Sequence, residues 1–560
     1  MRPFLPAIAR PRRCTQGGNL RKQSAANRAG HVVAGRWPWH RWLLLCCLWW
    51  GLLPVAMANV ADWRALSAVS AHTVLTGQNG PSLRNAFTVA QDRRGRIWVG
   101  DPTGALRLDG DLVRRYPGAE VPALGSGFTR SFHGLEDGDV LVGTDREGVL
   151  RWELAHDRFV PVALADGQRL TRISAIEPAR GGGAWVAGEL GLYHYDPASG
   201  VLQAVDVGHA QARTSTRVFD VLEQPDGSLW VATNPGVYRR APGQEHFEPV
   251  RVADPQLDRR LAGRDAWELQ ADAQGRIWVG LIRDGVLVLE PDGQAWAPQG
   301  LDGIDDLHDG TTVRALLPVE GQMWVATDGQ GLFRVQGRQA RRQPVNLTEF
   351  LGGRNFHVLE LIRADDGRVW AASDRGVFHF DPDPQGVIEL DLSLSADHPY
   401  EQPPMVRSLL VDDRQRLWAG MFGGVVQVLD PYRGQRHLIR LPPPLDGSDV
   451  VALHQDSRGR VWAASNGVEI IDPVRLTVLG GGPLPQVPVQ RYTAMTGQGQ
   501  RIWLGGRQGV LELDLEGRPL RSMESAAQGL RSTLVRNLAW QTGQLWVGTG
   551  EGLHRVDLER

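Results

Sequence analysis

The chain has 560 residues, too many for one compact core, and its 67 glycines and 35 prolines against 42% hydrophobic residues predict many short strands and tight turns rather than long helices. All three cysteines (Cys14, Cys46, Cys47) and the only lysine, Lys22, fall in the first 58 residues, so beyond them a thiol nucleophile, a disulfide, a cysteine metal site, a Schiff-base lysine and a phosphate-loop lysine are excluded. Residues 59–560 hold 52 basic residues against 63 acidic ones, a formal charge of −11, which makes nucleic acid and anionic membranes poor partners.

Residues 1–58 read as a targeting segment. Nine Arg or Lys and no Asp or Glu stand in residues 1–42, followed by the apolar run LLLCCLWWGLLPVAMA at 43–58, which ends in Ala56-Met57-Ala58. That is a charged n-region, an apolar h-region and a small-residue cleavage site, and it predicts export to the periplasm. Sixteen apolar residues are short for a membrane span, although an uncleaved segment would act as an anchor.

A repeat organises the rest. DRRGRIWVG at 92–100, DGDVLVGT at 137–144, DGSLWVAT at 226–233, EGQMWVAT at 320–327 and SRGRVWAAS at 457–465 are copies of one unit. Equivalent positions run Trp98, Leu141, Trp185, Trp230, Trp278, Trp324, Trp370, Trp418, Trp462, Trp503 and Trp546, spaced 41 to 48 residues apart. Eleven units of that length predict β-propeller blades. An aromatic present in almost every unit is expected to be packing between blades before it is a site.

The unit, Asp-x-x-Gly-x-hydrophobic-Trp-x-Gly-Thr-x-x-Gly-Leu closed by Asp-Pro as in Tyr195-Asp196-Pro197 and Phe380-Asp381-Pro382, resembles the two-component regulator propeller repeat. The resemblance covers nearly all of residues 72–557 and implies the periplasmic sensor region of a hybrid two-component or diguanylate cyclase receptor. Such receptors carry two seven-bladed propellers, a β-sandwich, a transmembrane helix and an output domain; this sequence shows eleven repeats and none of the later parts.

The expected architecture is all-β: a seven-bladed propeller over residues 59–390, then an incomplete second propeller of four repeats over residues 391–560. Residues 72–76 are expected to supply the outermost strand of the blade that holds Trp370. Four blades should not close a ring, so an open blade edge is a candidate surface for a protein partner.

Candidate chemistry is sparse, and no catalytic residue, metal ligand or cofactor is expected. Asp302, Asp305, Asp306, Asp309 and His308 read as a solvated loop rather than a metal site. His194, His379 and His554 follow Gly-hydrophobic steps and read as strand residues. Arginine recurs where inner strands should begin: Arg84, Arg130, Arg172, Arg217, Arg264, Arg314 and Arg354 in the first ring, then Arg407, Arg491 and Arg536, with Asp449 the exception. Seven guanidiniums around one channel mouth would attract an anionic ligand, for instance an acidic sugar, unless carboxylates of the scaffold pair with them. The expected function is a ligand-binding sensor module for a small molecule or oligosaccharide, its output domain outside this chain. A propeller enzyme (carbohydrate lyase or hydrolase) and a structural docking propeller are the alternatives.

Overall fold

Each repeat folds as one twisted antiparallel sheet. The Asp-x-x-Gly turn joins the innermost strand to the Trp-bearing second strand, and a Gly-led turn then starts the third. The computed structural model describes residue 63, residues 69–73 and residues 85–557, apart from 111, 126, 165–169, 209–216, 301–306, 308–309, 344, 348–355, 385–389, 391, 393–404, 444, 446, 481–483 and 525–529. The targeting segment, residues 74–76, Arg84, Arg354 and the loop residues Asp302, Asp305, Asp306, His308 and Asp309 lie outside the described residues, as does most of the expected boundary near residue 390.

Seven blades form a closed ring. Their innermost strands are Thr88–Gln91, Thr129–Gly134, Ile173–Pro178, Val218–Glu223, Ala266–Ala271, Val313–Val319 and Val358–Arg363, each packed beside the next, and the last lies beside the first. Closure is made by Val69–Thr73, which shares residues 72 and 73 with the expected segment but is not outermost, since Val345–Leu347 lies outside it. Val69–Thr73 pairs antiparallel with Gly376–Phe380, His72 opposite His379 and Thr73 opposite Phe378, so that the seventh blade takes its fourth strand from the start of the chain. Its other edge pairs in parallel with Val345–Leu347. An apolar layer of Val89, Val99 and Leu106 from blade 1 against Ala372, Val377 and Trp370 from blade 7 seals the joint.

The tryptophans do pack between blades. Trp98 meets Phe132 and Trp152 of blade 2, and Trp418 meets Leu453 and Val461 of blade 9. The turn aspartate has a second role that turn chemistry alone does not require. Asp92 accepts the backbone N–H groups of Arg94 and Arg96 through Oδ1, and the Arg96 guanidinium and the Trp98 indole N–H through Oδ2 at 2.7 and 2.8 Å. Asp272, Asp412 and Asp456 hold Arg276 with Trp278, Arg416 with Trp418 and Arg460 with Trp462 in the same way. Each indole is thereby satisfied while its ring fills the inter-blade core.

Four further blades follow, starting at Val406–Val411, Ala452–Gln455, Tyr492–Gln498 and Val535–Gln541. Apolar clusters join blades 8 to 9, 9 to 10 and 10 to 11; among the described residues no cluster joins 11 to 8. Among the described residues the last blade has three strands. Leu409 at one end and Leu553 at the other are 62% and 69% exposed, as an open array requires. The one described α-helix, Pro255–Gly263, precedes blade 5 and starts at Asp254, whose side chain accepts from the Gln256 and Leu257 N–H groups. No described helix is long and apolar enough to cross a membrane.

Candidate functional site: the channel of the seven-bladed ring

All seven innermost strands wall one cavity of about 790 Å³ along the ring axis. A backbone irregularity decides which side chains enter it. In blades 2 to 7 the pairing between the first two strands skips one residue of the inner strand, so that Arg130, Ser174, Phe219, Trp267, Arg314 and Leu359 are bulged out of register. All six line the cavity. A bulge turns an otherwise paired residue away from the ladder, and here it turns six of them toward the axis.

The wall has layers. The leading end carries Phe87, Arg130, Arg217, Phe219, Trp267 and Arg314. Arg217 stacks on Phe219 and Arg314 on Trp267, each guanidinium 4.6 Å from its ring centre, and the two rings lie 4.9 Å apart. Next come Ser131, Asp220, Glu268 and Glu360, each directly after the bulged residue of its strand, and Glu177 stands two residues farther along its own strand, level in register with His133. The far end carries Arg93, His133, Arg363 and Asp365. Burial, with Arg93 nearby, holds the His133 imidazole down at about 4, so it is neutral at ordinary pH.

The recurring arginines do not occupy one structural position. Arg130 and Arg314 are bulged residues inside their strands, Arg172 and Arg217 stand one residue before theirs, and Arg264 stands two before. Arg130, Arg217 and Arg314 therefore line the channel, whereas Arg172 and Arg264 do not. Most of them meet a carboxylate. Arg130 pairs with Asp145 at 3.0 Å, Arg172 with Glu189 at 2.8 Å, Arg264 with Asp284 at 3.7 Å and Arg314 with Asp328 at 2.7 Å, and His357 also contacts Asp328. Asp449, the exception in the series, is the counter-charge of its neighbours: Arg407 and Arg491 approach its two oxygens at 3.5 and 3.6 Å. Arg217 differs from the paired arginines. Among the described residues no carboxylate pairs with it, and burial, with Arg130 close by, lowers its affinity for the proton.

The carboxylates escape a reading made one repeat at a time. Asp220, Glu268 and Glu360 are each the tenth residue before the repeat tryptophan, at Trp230, Trp278 and Trp370, and each directly follows the bulged residue of its strand. Superposing the repeats on the tryptophan would have exposed them. Burial raises the carboxyl of Asp220 to about 7 and that of Glu360 to about 8, and it raises Glu177 and Glu268 well above the usual range, with mutual repulsion adding to it.

The histidines divide. His194 and His379 share a register, opposite Trp185 and Trp370 with ring centres 4.9 Å apart in each pair. His554 is a correction to the sequence reading. It stands opposite Val547, one place off that register, because Gly552 is followed by one intervening residue rather than two.

No family model matches the chain, and no curated protein does. Among solved structures, two extracellular domains assigned to hybrid two-component systems of B. thetaiotaomicron are similar over 88% of this chain: BT3049 at 16% identity and a TM-score of 0.47, and BT4673 at 14% and 0.46. The chain spans 71% of the first and 66% of the second, just under two thirds. YCF48 from Cyanidioschyzon merolae is similar over 56% of this chain and 99% of its own length, at 13% identity and a TM-score of 0.40. At these identities and scores the similarities carry no functional information.

Proposed function

We propose that the protein is a ligand-binding module, its site the channel of the seven-bladed ring, and that it serves detection of a small molecule outside the cytoplasm rather than catalysis. The supporting observation is the cavity itself. It has the volume of a small-molecule site, and polar or charged side chains of every blade line it, Gln91, Arg130, Ser174, Asp220, Glu268, Arg314 and Glu360 among them. A wall of that composition suits a polar occupant. The repeat's resemblance to the two-component regulator propeller family supports the sensor role, with any kinase or cyclase activity belonging to another region. An acidic sugar at the arginines is the weaker form of this reading, because the described wall arginines Arg130 and Arg314 already meet carboxylates.

The raised carboxyls of Asp220 and Glu360 favour one second reading, a propeller hydrolase or lyase, since acids that titrate near neutrality suit proton transfer. A thermal-shift screen of the full chain against amines, sugars and sugar acids tests the first reading, with product analysis of every stabilising compound testing the second. Stabilisation without turnover supports detection. Turnover of a compound that Asp220→Asn or Glu360→Gln abolishes would replace detection with catalysis.

A further inference from the structure

One cation at the leading end of the channel lacks a counter-charge. Of the described arginines in the first-ring series, Arg130, Arg172, Arg264 and Arg314 each pair with a carboxylate, and Arg217 pairs with none among the described residues. The two acids near enough to act on it, Glu189 and Asp145, already hold Arg172 and Arg130. Three guanidiniums of blades 2, 3 and 4 thus share two carboxylates. Arg217 is also partly withdrawn from water, and a charge so placed is costly until an anion meets it.

A second observation concerns what surrounds that charge. Arg217 stacks on Phe219 of its own strand, Phe219 packs on Trp267 of blade 5, and Trp267 carries Arg314 of blade 6, at 4.6, 4.9 and 4.6 Å between centres. All four line the cavity. Across the ring, Phe87 of blade 1 lines it too, held edge-on against Phe128 at 4.9 Å. Phe87 and Trp267 are only partly buried, so ring surface remains on the wall beside the unbalanced guanidinium.

We propose that the leading end of the channel binds a small aromatic carboxylate, its carboxylate on Arg217 and its ring among Phe87, Phe219 and Trp267. The proposal rests on the channel being the ligand site. A guanidinium presents a flat fork of donors that a carboxylate accepts two at a time, and stacking on Phe219 holds that fork in place. Aromatic rings gain from edge-on or offset contact with other rings. An aromatic acid meets both demands at once. A sugar acid brings the charge but sets hydroxyls against the rings, and inorganic phosphate brings the charge without a body for a cavity of about 790 Å³.

Calorimetric titration of the full chain with cinnamate, at pH 7.5 and low salt, beside its neutral amide cinnamamide, glucuronate and inorganic phosphate, tests this. The expected result is saturable binding of cinnamate, with each of the other three at least tenfold weaker. In Arg217→Gln cinnamate is expected to bind at least tenfold more weakly and no better than the amide. Arg172→Gln, whose residue stands outside the channel, is expected to change neither. Should Arg217→Gln fail to fold, the acid and the amide compared on the wild type carry the test, together with a fivefold or greater loss of cinnamate affinity in Trp267→Leu. Absence of saturable cinnamate binding overturns the proposal. So does equal affinity for acid and amide, or cinnamate binding that survives Arg217→Gln. Glucuronate or phosphate binding as tightly as cinnamate also overturns it, since the site would then select anions without reading a ring. If cinnamate fails while another compound binds the wild type but not Ser174→Trp, the aromatic acid falls and the channel reading stands. If no compound depends on Ser174, both fall.

Discussion

Asp220 Oδ2 accepts the backbone N–H of Leu269, in the neighbouring blade, at 2.8 Å, while Oδ1 accepts the N–H of Val221 at 2.7 Å. One carboxyl thus lines the channel and also ties blade 4 to blade 5. Asp220→Ala leaves two buried donors without an acceptor, and each costs about 1–3 kcal/mol. Asp220→Asn keeps one acceptor and is expected to lose about half as much. Denaturant unfolding of the two variants checks the order.

The same layer sets a pH dependence. A carboxyl raised by folding stabilises the fold fully below its unfolded pKa and loses that contribution as pH rises through its folded value. For Asp220 and Glu360 the loss runs from about 4 up to about 7 and 8. His133, lowered to about 4, acts the opposite way, but its stabilisation is lost only as pH falls below about 6.5. The groups facing the layer from the channel ends are Arg130, Arg217 and Arg314 on one side and Asp92, Arg93, His133, Arg363 and Asp365 on the other. The melting temperature of the ligand-free protein is therefore expected to fall between pH 6.5 and 8.5, and the slope to flatten in Asp220→Asn/Glu360→Gln. A slope equal in the variant would show that the layer does not control it.

The turn aspartates are structural. Asp412 is buried and holds the Arg416 guanidinium and the Trp418 indole, both buried. Asp412→Ala strands a buried cation and an indole N–H, at a cost of about 3–5 kcal/mol. Its exposed neighbour Asp413 meets, among the described residues, Gln455 alone, and Asp413→Ala is expected to cost about 0.5 kcal/mol or less. Equal losses at the two positions would contradict the indole-holding role.

Ring closure depends on Val69–Thr73, which pairs on both edges. A chain lacking residues 1–78 leaves Gly376–Phe380 as a bare strand edge, which recruits other chains. Such a protein is expected to melt at a lower temperature and to associate on concentration, as light scattering would show. A monomer of unchanged stability would mean that the seventh blade closes without Val69–Thr73.

The blades were legible because the repeat tryptophan recurs at blade spacing and its turn carries a fixed Asp and Gly. Trp98 could be read as packing, but not Asp92 as the acceptor of its indole, since the turn alone accounts for an aspartate there. The closure by His72 and Thr73 followed from the order of strand patterns. The channel was harder. Which residue enters it depends on a skipped register at Arg130, Ser174, Phe219, Trp267, Arg314 and Leu359, and register is a property of pairing that no single strand displays. The arginine series for that reason mixed bulged residues with residues ahead of the strand. Asp220, Glu268 and Glu360 carried a readable signal, a common distance to the tryptophan, which emerges only when the repeats are superposed.

Blocking the channel tests most directly whether it is the binding site. Ser174 is a bulged residue whose Oγ has no described partner, so Ser174→Trp puts an indole into the cavity while disturbing no described hydrogen bond. Ser199, exposed on a surface turn, is the control position. Calorimetric titration of a compound that stabilises the wild type is expected to give unchanged affinity in Ser199→Trp and at least a hundredfold loss in a folded Ser174→Trp. Equal affinity in all three proteins would contradict the assignment of the channel as the ligand site.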